Sequence, residues 1–402
     1  MKFKVIFVIF ALLLYTSFLP IFNMDVEAYS PIEDFERTRE CAQTGLSVSA
    51  HAAALLSDNG EVLFQKNGDV RLGIASTTKI MTAIVALETS SLDDEVVIPK
   101  EAVGIEGSSL YLKHGEILTV EELLYGLLLQ SGNDAALALA IHIAGSVEGF
   151  VSIMNAKADS LGLIDTHFTN PHGLDDDEHY STAIELGKIT AYALKNEVFR
   201  KISSTYTHKI RLDGNEGGRL LVNHNKLLKI YEGAIGVKTG FTKSTGRTLV
   251  GAAERDGLTL ISVTLNDGDD WRDHAKMLDL GFSEYRRYEV AKAGEINLSV
   301  PINFGERSSC LITNDEIPPF TVKKGSVLET RFIIPDSVNA PIVKGMCLGE
   351  IEFYCDGIML GKEVLYAVED IDRKRLSFWE RLKNERNKNT ESDQRCGTLL
   401  SS

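Results

Sequence analysis

Strand-like sequence at two places far apart in the chain encloses a long run of buried-helix sequence, and few folds accommodate that order. At the front, LSVSAHAAALLSDNGEVLFQKN sets Asp58-Asn59-Gly60 between two apolar runs. Asn-Gly in that position is the strongest short-range sign of a β-hairpin, since both residues accept the positive φ of a tight turn. At the back, AIGVKTGFT, RTLVGAAE and LTLISVTL read as three strands, with Arg255-Asp256-Gly257 turning the second into the third. The helix WRDHAKMLDLGFSEY closes that unit. A hairpin, then helices, then an antiparallel meander predicts an α+β domain whose front and back strands share one sheet.

Between the strand blocks the period is helical. In STTKIMTAIVALE the apolar positions Ile80, Met81, Ile84, Val85 and Leu87 cover more than one face, which predicts a largely buried helix from Ser76. A second apolar helix covers Thr119 to Gln130, with Glu121 and Glu122 in the first turn, where the helix dipole favours acid. A third, DAALALAIHIAG, follows at once, so Ser131-Gly132-Asn133 is a short polar break between two core helices. Residues 165–182 form a polar loop rich in turn residues, and an amphipathic helix runs from about Ala183 to Lys195.

After about residue 292 the texture changes. INLSVPI, SSCLI, RFIIP, GEIEFYC and EVLYAVE alternate with Gly, Pro and Asn turns, which predicts a small all-β domain, a sandwich or barrel. A chain of 402 residues exceeds what one small core organises. The expected division is 1–28 leader, 29–290 α+β domain, 291–370 β domain and 371–402 tail.

The ends bear on location. MKFK followed by VIFVIFALLLYTSFLPIF and then Val26-Glu27-Ala28 is the order of a secretory signal peptide, with cleavage expected near Ala28. An uncleaved anchor is the other reading, since the run is just long enough to span a bilayer. In the tail, DRKRLSFWERLKNERNKN puts Ile371, Leu376, Phe378, Trp379 and Leu382 on one broad side of a helix, with Arg375 and Arg386 intruding. Residues 371–388 therefore suit contact with an anionic membrane surface; a surface helix packed on the β domain, or a frayed tail, is the alternative.

A net charge of -15 repels nucleic-acid phosphates and excludes nucleic acid as a partner. The five cysteines, Cys41, Cys310, Cys347, Cys355 and Cys396, show no metal-ligand spacing and rule out a dense disulfide framework. Cys347 and Cys355 have the spacing of neighbours on adjacent strands. His167, His172 and His179 share a loop with Asp175, Asp176 and Asp177, yet match no HExxH pattern and have no water-activating glutamate beside them. No metal and no cofactor is expected.

Three short signals remain: Ser76-Thr77-Thr78-Lys79, Ser131-Gly132-Asn133 and Lys238-Thr239-Gly240. Each is weak alone. A serine at the head of a helix is usually a cap, and KTG on a strand is usually an exposed charge beside a bend. In this order and in these contexts they resemble the SxxK, SxN and KTG set of penicillin-binding proteins and serine β-lactamases. ASTTKIMTA, LLLQSGNDAALALA, NPHGL and GVKTGFT narrow the resemblance to low-molecular-weight D-alanyl-D-alanine carboxypeptidases, from about Thr44 to Tyr285. The β region after it resembles the C-terminal domain that many of these enzymes carry.

The chemistry gives the spacing a reason. Serine needs a local base, and a helix puts residues i and i+3 on one face, so Lys79 reaches Ser76. Burial and a second positive charge, from Lys238, would keep Lys79 neutral. The resemblance implies that Ser131 relays a proton to the leaving group and that Asn133 bonds the substrate amide or Lys79. It implies an oxyanion hole from the N–H groups of Ser76 and Phe241, worth about 3 kcal/mol each. Lys238 and Thr239 would grip the terminal carboxylate, and Gly240 would let substrate lie against the strand. Arg247 is a second carboxylate candidate; an exposed strand arginine is the alternative.

The resemblance thus implies an exported carboxypeptidase at the extracytoplasmic face of the membrane or in the cell wall. Its partners would be peptidoglycan stem peptides and β-lactam antibiotics, and its roles would lie in wall biogenesis and cell shape. A β-lactamase is the first alternative, but no ExxLN-like segment lies between Gly162 and Ala183, and SGN stands where those enzymes usually have SDN. A transpeptidase or endopeptidase shares the same acyl-enzyme and is not separated by the motifs.

Overall fold

The computed structural model describes residues 45–211 and 218–375. The leader, Cys41, Cys396 and the tail beyond residue 375 lie outside the described residues. Strands β1 (Ala52–Ser57) and β2 (Val62–Lys66) form the expected hairpin. A 3-10 segment, Ala75–Thr78, then leads into helix α1 (Lys79–Thr89). The α-helix therefore starts at Lys79 and not at Ser76. A ribbon of β3 (Glu95–Val97) and β4 (Ile117–Thr119) precedes α2 (Val120–Leu129), α3 (Asn133–Ala144) and α4 (Val147–Ser160). Next come α5 (Ala183–Ala193), α6 (Glu197–Ser204), the ribbon β5 (Thr207–Ile210) with β6 (Arg219–Val222), and the short α7 (Leu227–Ile230). The meander β7 (Ala234–Thr242), β8 (Gly246–Arg255) and β9 (Leu258–Leu265) follows, and α8 (Asp270–Glu284) closes the domain.

One five-stranded sheet in the order β2-β1-β9-β8-β7 joins front to back through the antiparallel pair β1 and β9, in register at Ala54 opposite Val263. Asp256 at φ 50° and Gly257 at φ 76° turn β8 into β9, a tight turn with two positive φ values. The strands read as near-continuous apolar runs because both faces are covered. Ala52, Ala54, Leu56, Ile261 and Val263 face the helical side with α1, α2 and α3. Ala53, Leu55, Leu258 and Leu260 face α8 through Met277 and Leu278. Strand alternation accounts for that split. Strand β7 stands at the sheet edge.

Caps fix the helix starts. Thr119 and Glu122 form a reciprocal capping box on α2, and Ser146, Thr182 and Asn196 each accept from a backbone N–H of the helix they precede. Such caps are worth about 1 kcal/mol each.

From β10 (Tyr285–Tyr288) onward the described residues are all β. The strands β11 (Asn297–Asn303), β12 (Ser309–Asn314), β13 (Phe320–Lys323), β14 (Leu328–Ile333), β15 (Val338–Asn339), β16 (Cys347–Cys355) and β17 (Ile358–Ala367) follow. Six of them form a curled sheet ordered β14-β16-β17-β12-β11-β15, and β13 pairs with β10. This part has its own core, with Val300, Ile312, Ile351, Phe353 and Leu365 at its centre. Cys347 and Cys355 are the two ends of one strand, β16, and not neighbours on adjacent strands. At about 3.3 Å per residue they are far beyond disulfide reach, and both are free thiols, as is Cys310. Ile371 also departs from expectation. It is buried in the β core and bridged to Ile342, so the tail does not begin as a helix there. The rest of the 371–388 membrane reading falls outside the described residues.

Candidate active site

The site gathers at the join of α1, the α2–α3 break and the edge strand β7. Ser76 is half-buried in the first turn of the 3-10 segment, and Lys79 follows one turn on, fully buried. Lys79 Nζ lies 2.8 Å from Ser76 Oγ, 2.7 Å from Asn133 Oδ1 and 2.5 Å from the His172 carbonyl oxygen. Asn133 Nδ2 donates to the Glu106 carbonyl at 2.6 Å, which fixes the amide so that Oδ1 faces the lysine. Burial first, and then the charge of Lys238, hold the Lys79 amine well below the ordinary lysine range; Asp134 opposes this.

Ser131 is buried with a left-handed φ of 60°, directly before the Gly132 that caps α3. The break has a consequence for the third letter of SGN: Asn133 is already the first residue of α3. Lys238 Nζ donates to Ser131 Oγ at 3.0 Å and to the Thr239 carbonyl at 2.7 Å. Burial pushes the Lys238 amine down to about 7. The two lysines therefore each hold one serine, Lys79 with Ser76 and Lys238 with Ser131.

Strand β7 runs directly against the serine. A Cβ on Gly240 would stand 2.9 Å from Ser76 N, 2.3 Å from Thr248 Oγ1 and 3.2 Å from Ala75 Cβ. The glycine is thus needed for packing of the strand on the Ser76 segment, a reason beyond the access to substrate expected from sequence. Thr248 Oγ1 donates to the Ile74 carbonyl at 3.1 Å and ties β8 to the same segment. Thr239 is half-buried, and Phe241 is exposed at the strand edge. Arg247 sits opposite Phe241 in the ladder and pairs with Asp270 at 3.0 Å, at the start of α8.

Several residues at the site carry no motif. Asp134 is fully buried and accepts from the N–H groups of Leu110 and Leu112 and from Ser109 Oγ, at 2.6–3.1 Å. It anchors the loop before β4 beside the SGN break. The only sequence sign is an acid at the second position of a helix, where the dipole favours it. Of the three histidines, His172 contributes its carbonyl to Lys79, His167 Nδ1 bonds the Glu178 carbonyl, and His179 is buried against Thr78. Ala75, immediately before Ser76, has φ 46°. With Ser131 it makes two strained non-glycine residues at one site, a pattern common where backbone geometry serves function.

Residues 38–269 match the family described as D-alanyl-D-alanine carboxypeptidase, and residues 285–373 match the C-terminal domain of penicillin-binding protein 5. The D-alanyl-D-alanine carboxypeptidase DacF of Bacillus subtilis (strain 168) is 34% identical over 352 residues, 85% of this chain and 89% of the relative. The crystal structure of penicillin-binding protein 5 from Haemophilus influenzae superposes with a TM-score of 0.71 at 28% identity, covering 82% of this chain and 99% of that one. A serine-to-alanine variant of the Streptomyces K15 DD-transpeptidase superposes with a TM-score of 0.56 at 37% identity, covering 59% of this chain and 99% of its own. Matched over both its α+β part and its β domain, the chain belongs to the D-alanyl-D-alanine carboxypeptidase family and is a serine-type carboxypeptidase.

Proposed function

We propose that this enzyme is exported and removes the terminal D-alanine from peptidoglycan stem pentapeptides through an acyl-enzyme on Ser76. The observation that carries the proposal is the environment of Lys79 Nζ. A neutral amine has two hydrogens and one lone pair. The His172 carbonyl only accepts, and Asn133 Oδ1 is oriented to accept, so these two take both hydrogens. The lone pair is left for the third neighbour, Ser76 Oγ, at 2.8 Å. Burial, and then the charge of Lys238, hold the amine well below the ordinary lysine range, which favours its neutral form. Lys79 then takes the serine proton as the hydroxyl attacks the carbonyl between the two D-alanines. Positioned general bases contribute about 10²–10⁴-fold in rate.

The developing oxyanion meets the N–H groups of Ser76 and Phe241; the close packing of Gly240, the neighbour of Phe241, on Ser76 N supports this pairing. Lys238 and Thr239 receive the terminal carboxylate. Ser131, in contact with Lys238, passes a proton to the leaving D-alanine amine. That carboxylate restores the cationic form of Lys238 that burial disfavours. As the edge strand of the sheet among the described residues, β7 offers backbone groups along which an extended peptide lies. Water completes the cycle. A β-lactam places a strained amide where the peptide bond would be and leaves Ser76 acylated.

Similarity to the Streptomyces K15 DD-transpeptidase supports a second outcome for the same acyl-enzyme, attack by an amine in place of water. Export is supported by the order of the first 28 residues. The test is incubation of the purified chain with a stem pentapeptide ending in D-Ala-D-Ala. The expected result is free D-alanine from the native chain and none from Ser76→Ala. Release that survives in Ser76→Ala would overturn the proposal.

A further inference from the structure

His179 and Thr78 lie outside the machinery above, yet Thr78 bonds the backbone that carries Ser76, and His179 bonds Thr78. His179 is buried, with Thr169 N at 3.0 Å and Thr169 Oγ1 at 3.2 Å from its Nδ1. Its Nε2 lies 2.7 Å from Thr78 Oγ1, and Thr78 Oγ1 lies 2.7 Å from the Ala75 carbonyl oxygen.

The proton positions follow from what each group can do. A backbone N–H only donates, so Nδ1, facing Thr169 N, carries no hydrogen. A carbonyl only accepts, so the single Thr78 hydroxyl hydrogen goes to Ala75. Thr78 Oγ1 must then accept from His179, which requires hydrogen on Nε2. Both ends select the same neutral tautomer. Burial, which holds this imidazole down at about 4, agrees with it.

The Ala75 carbonyl belongs to the same peptide unit as Ser76 N–H. In a trans peptide the two point in opposite directions. The oxygen is fixed on the side of Thr78 and His179, and the N–H is turned to β7, where a Gly240 Cβ would stand 2.9 Å from the nitrogen. Ala75 pays for this orientation with its positive φ. A hydrogen bond accepted by the oxygen also polarises the unit, which makes the N–H a stronger donor.

We infer that His179 is a positioning residue for acylation, acting through Thr78 and the Ala75–Ser76 peptide to aim and polarise the Ser76 N–H at the oxyanion. The inference rests on the assignment of that N–H to the oxyanion hole of the Ser76 acyl-enzyme. It joins the polar loop of residues 165–182 to the reaction without any loop side chain touching substrate.

The test uses the full chain and three variants. Thr78→Val and His179→Leu each break the relay. His179→Gln gives and accepts the same two hydrogen bonds with an amide. The acylation rate constant with a fluorescent penicillin is expected to fall about tenfold in Thr78→Val and in His179→Leu, less than for loss of a direct oxyanion donor. The double variant falls no further than the slower single one, and His179→Gln recovers most of the rate. The infrared stretch of the penicilloyl ester carbonyl moves to higher wavenumber in Thr78→Val, because a less polarised N–H pulls less on it. Loss of a merely structural contact would not move that band. A native rate in Thr78→Val, or a slowed rate with an unmoved band, overturns the inference. Ser76→Ala separates the two levels: labelling that persists there removes the acyl-enzyme reading itself, whereas absent labelling with a native rate in Thr78→Val removes the relay alone.

Discussion

Two buried lysines within one site carry a stability cost that the chemistry requires. Lys238 ionises at about 7, against 10.5 for an ordinary lysine, because folding strips its water. Between those values the unfolded chain holds a proton that the folded chain has released. Stability therefore rises with pH across that window. The penalty is fully present below pH 7 and is lost toward pH 10. Lys238→Met removes it. The variant is expected to be more stable than the native chain at pH 7, with the gap narrowing as pH rises to 9 in urea titrations; parallel stability curves would contradict this. Loss of the Lys238 charge also relieves Lys79, in the same direction. Ser76, Lys79, Ser131 and Lys238 were legible in the sequence because each sits in a short motif with a fixed local context. Thr78, His179 and Asp134 were not. His179 lies 101 residues from Thr78, and Asp134 lies 24 from Leu110, so their pairings are set by tertiary folding alone.

At the scale of elements the hydrophobic period was legible and the helix starts were not. Two apolar runs around the Asn-Gly turn gave the hairpin, and the apolar wrap of the middle segment gave buried helices. The same letters did not show that Ala75–Thr78 is a 3-10 turn, because that tightening depends on Thr248 and on β7 packing against it. Nor did they show that Asn133 already belongs to α3. The α2–α3 break holds its shape through Asp134, whose carboxylate receives two backbone N–H groups and a hydroxyl from the preceding loop. Asn in its place turns an NH₂ toward one or more of those donors. Asp134→Asn is expected to cost about 3 kcal/mol, as for buried donors left unsatisfied. Chemical denaturation reads this, and a loss under about 0.5 kcal/mol would show that the loop is held by other contacts.

Across the whole molecule, three buried apolar clusters are divided between two parts of the chain. The sheet and its helices bury one continuous apolar cluster on each face, and all the site residues hang from the elements of that part. The β domain has its own core and meets the first part through β10, which leaves α8 and pairs with β13. Its short strands and turn residues made the domain visible in sequence. Its curled sheet order, with β14 and β15 at the edges, was not visible, because pairing order in an all-β domain has no local signal. The central claim concerns one serine out of the whole chain, so the most direct measurement locates the covalent bond. The purified protein is treated with penicillin, its intact mass is taken, and the adduct is mapped by peptide mass spectrometry. The account predicts a single penicilloyl group per chain, on the peptide containing Ser76, and none in Ser76→Ala. An adduct on another residue, or a chain that stays unmodified while folded, would contradict it.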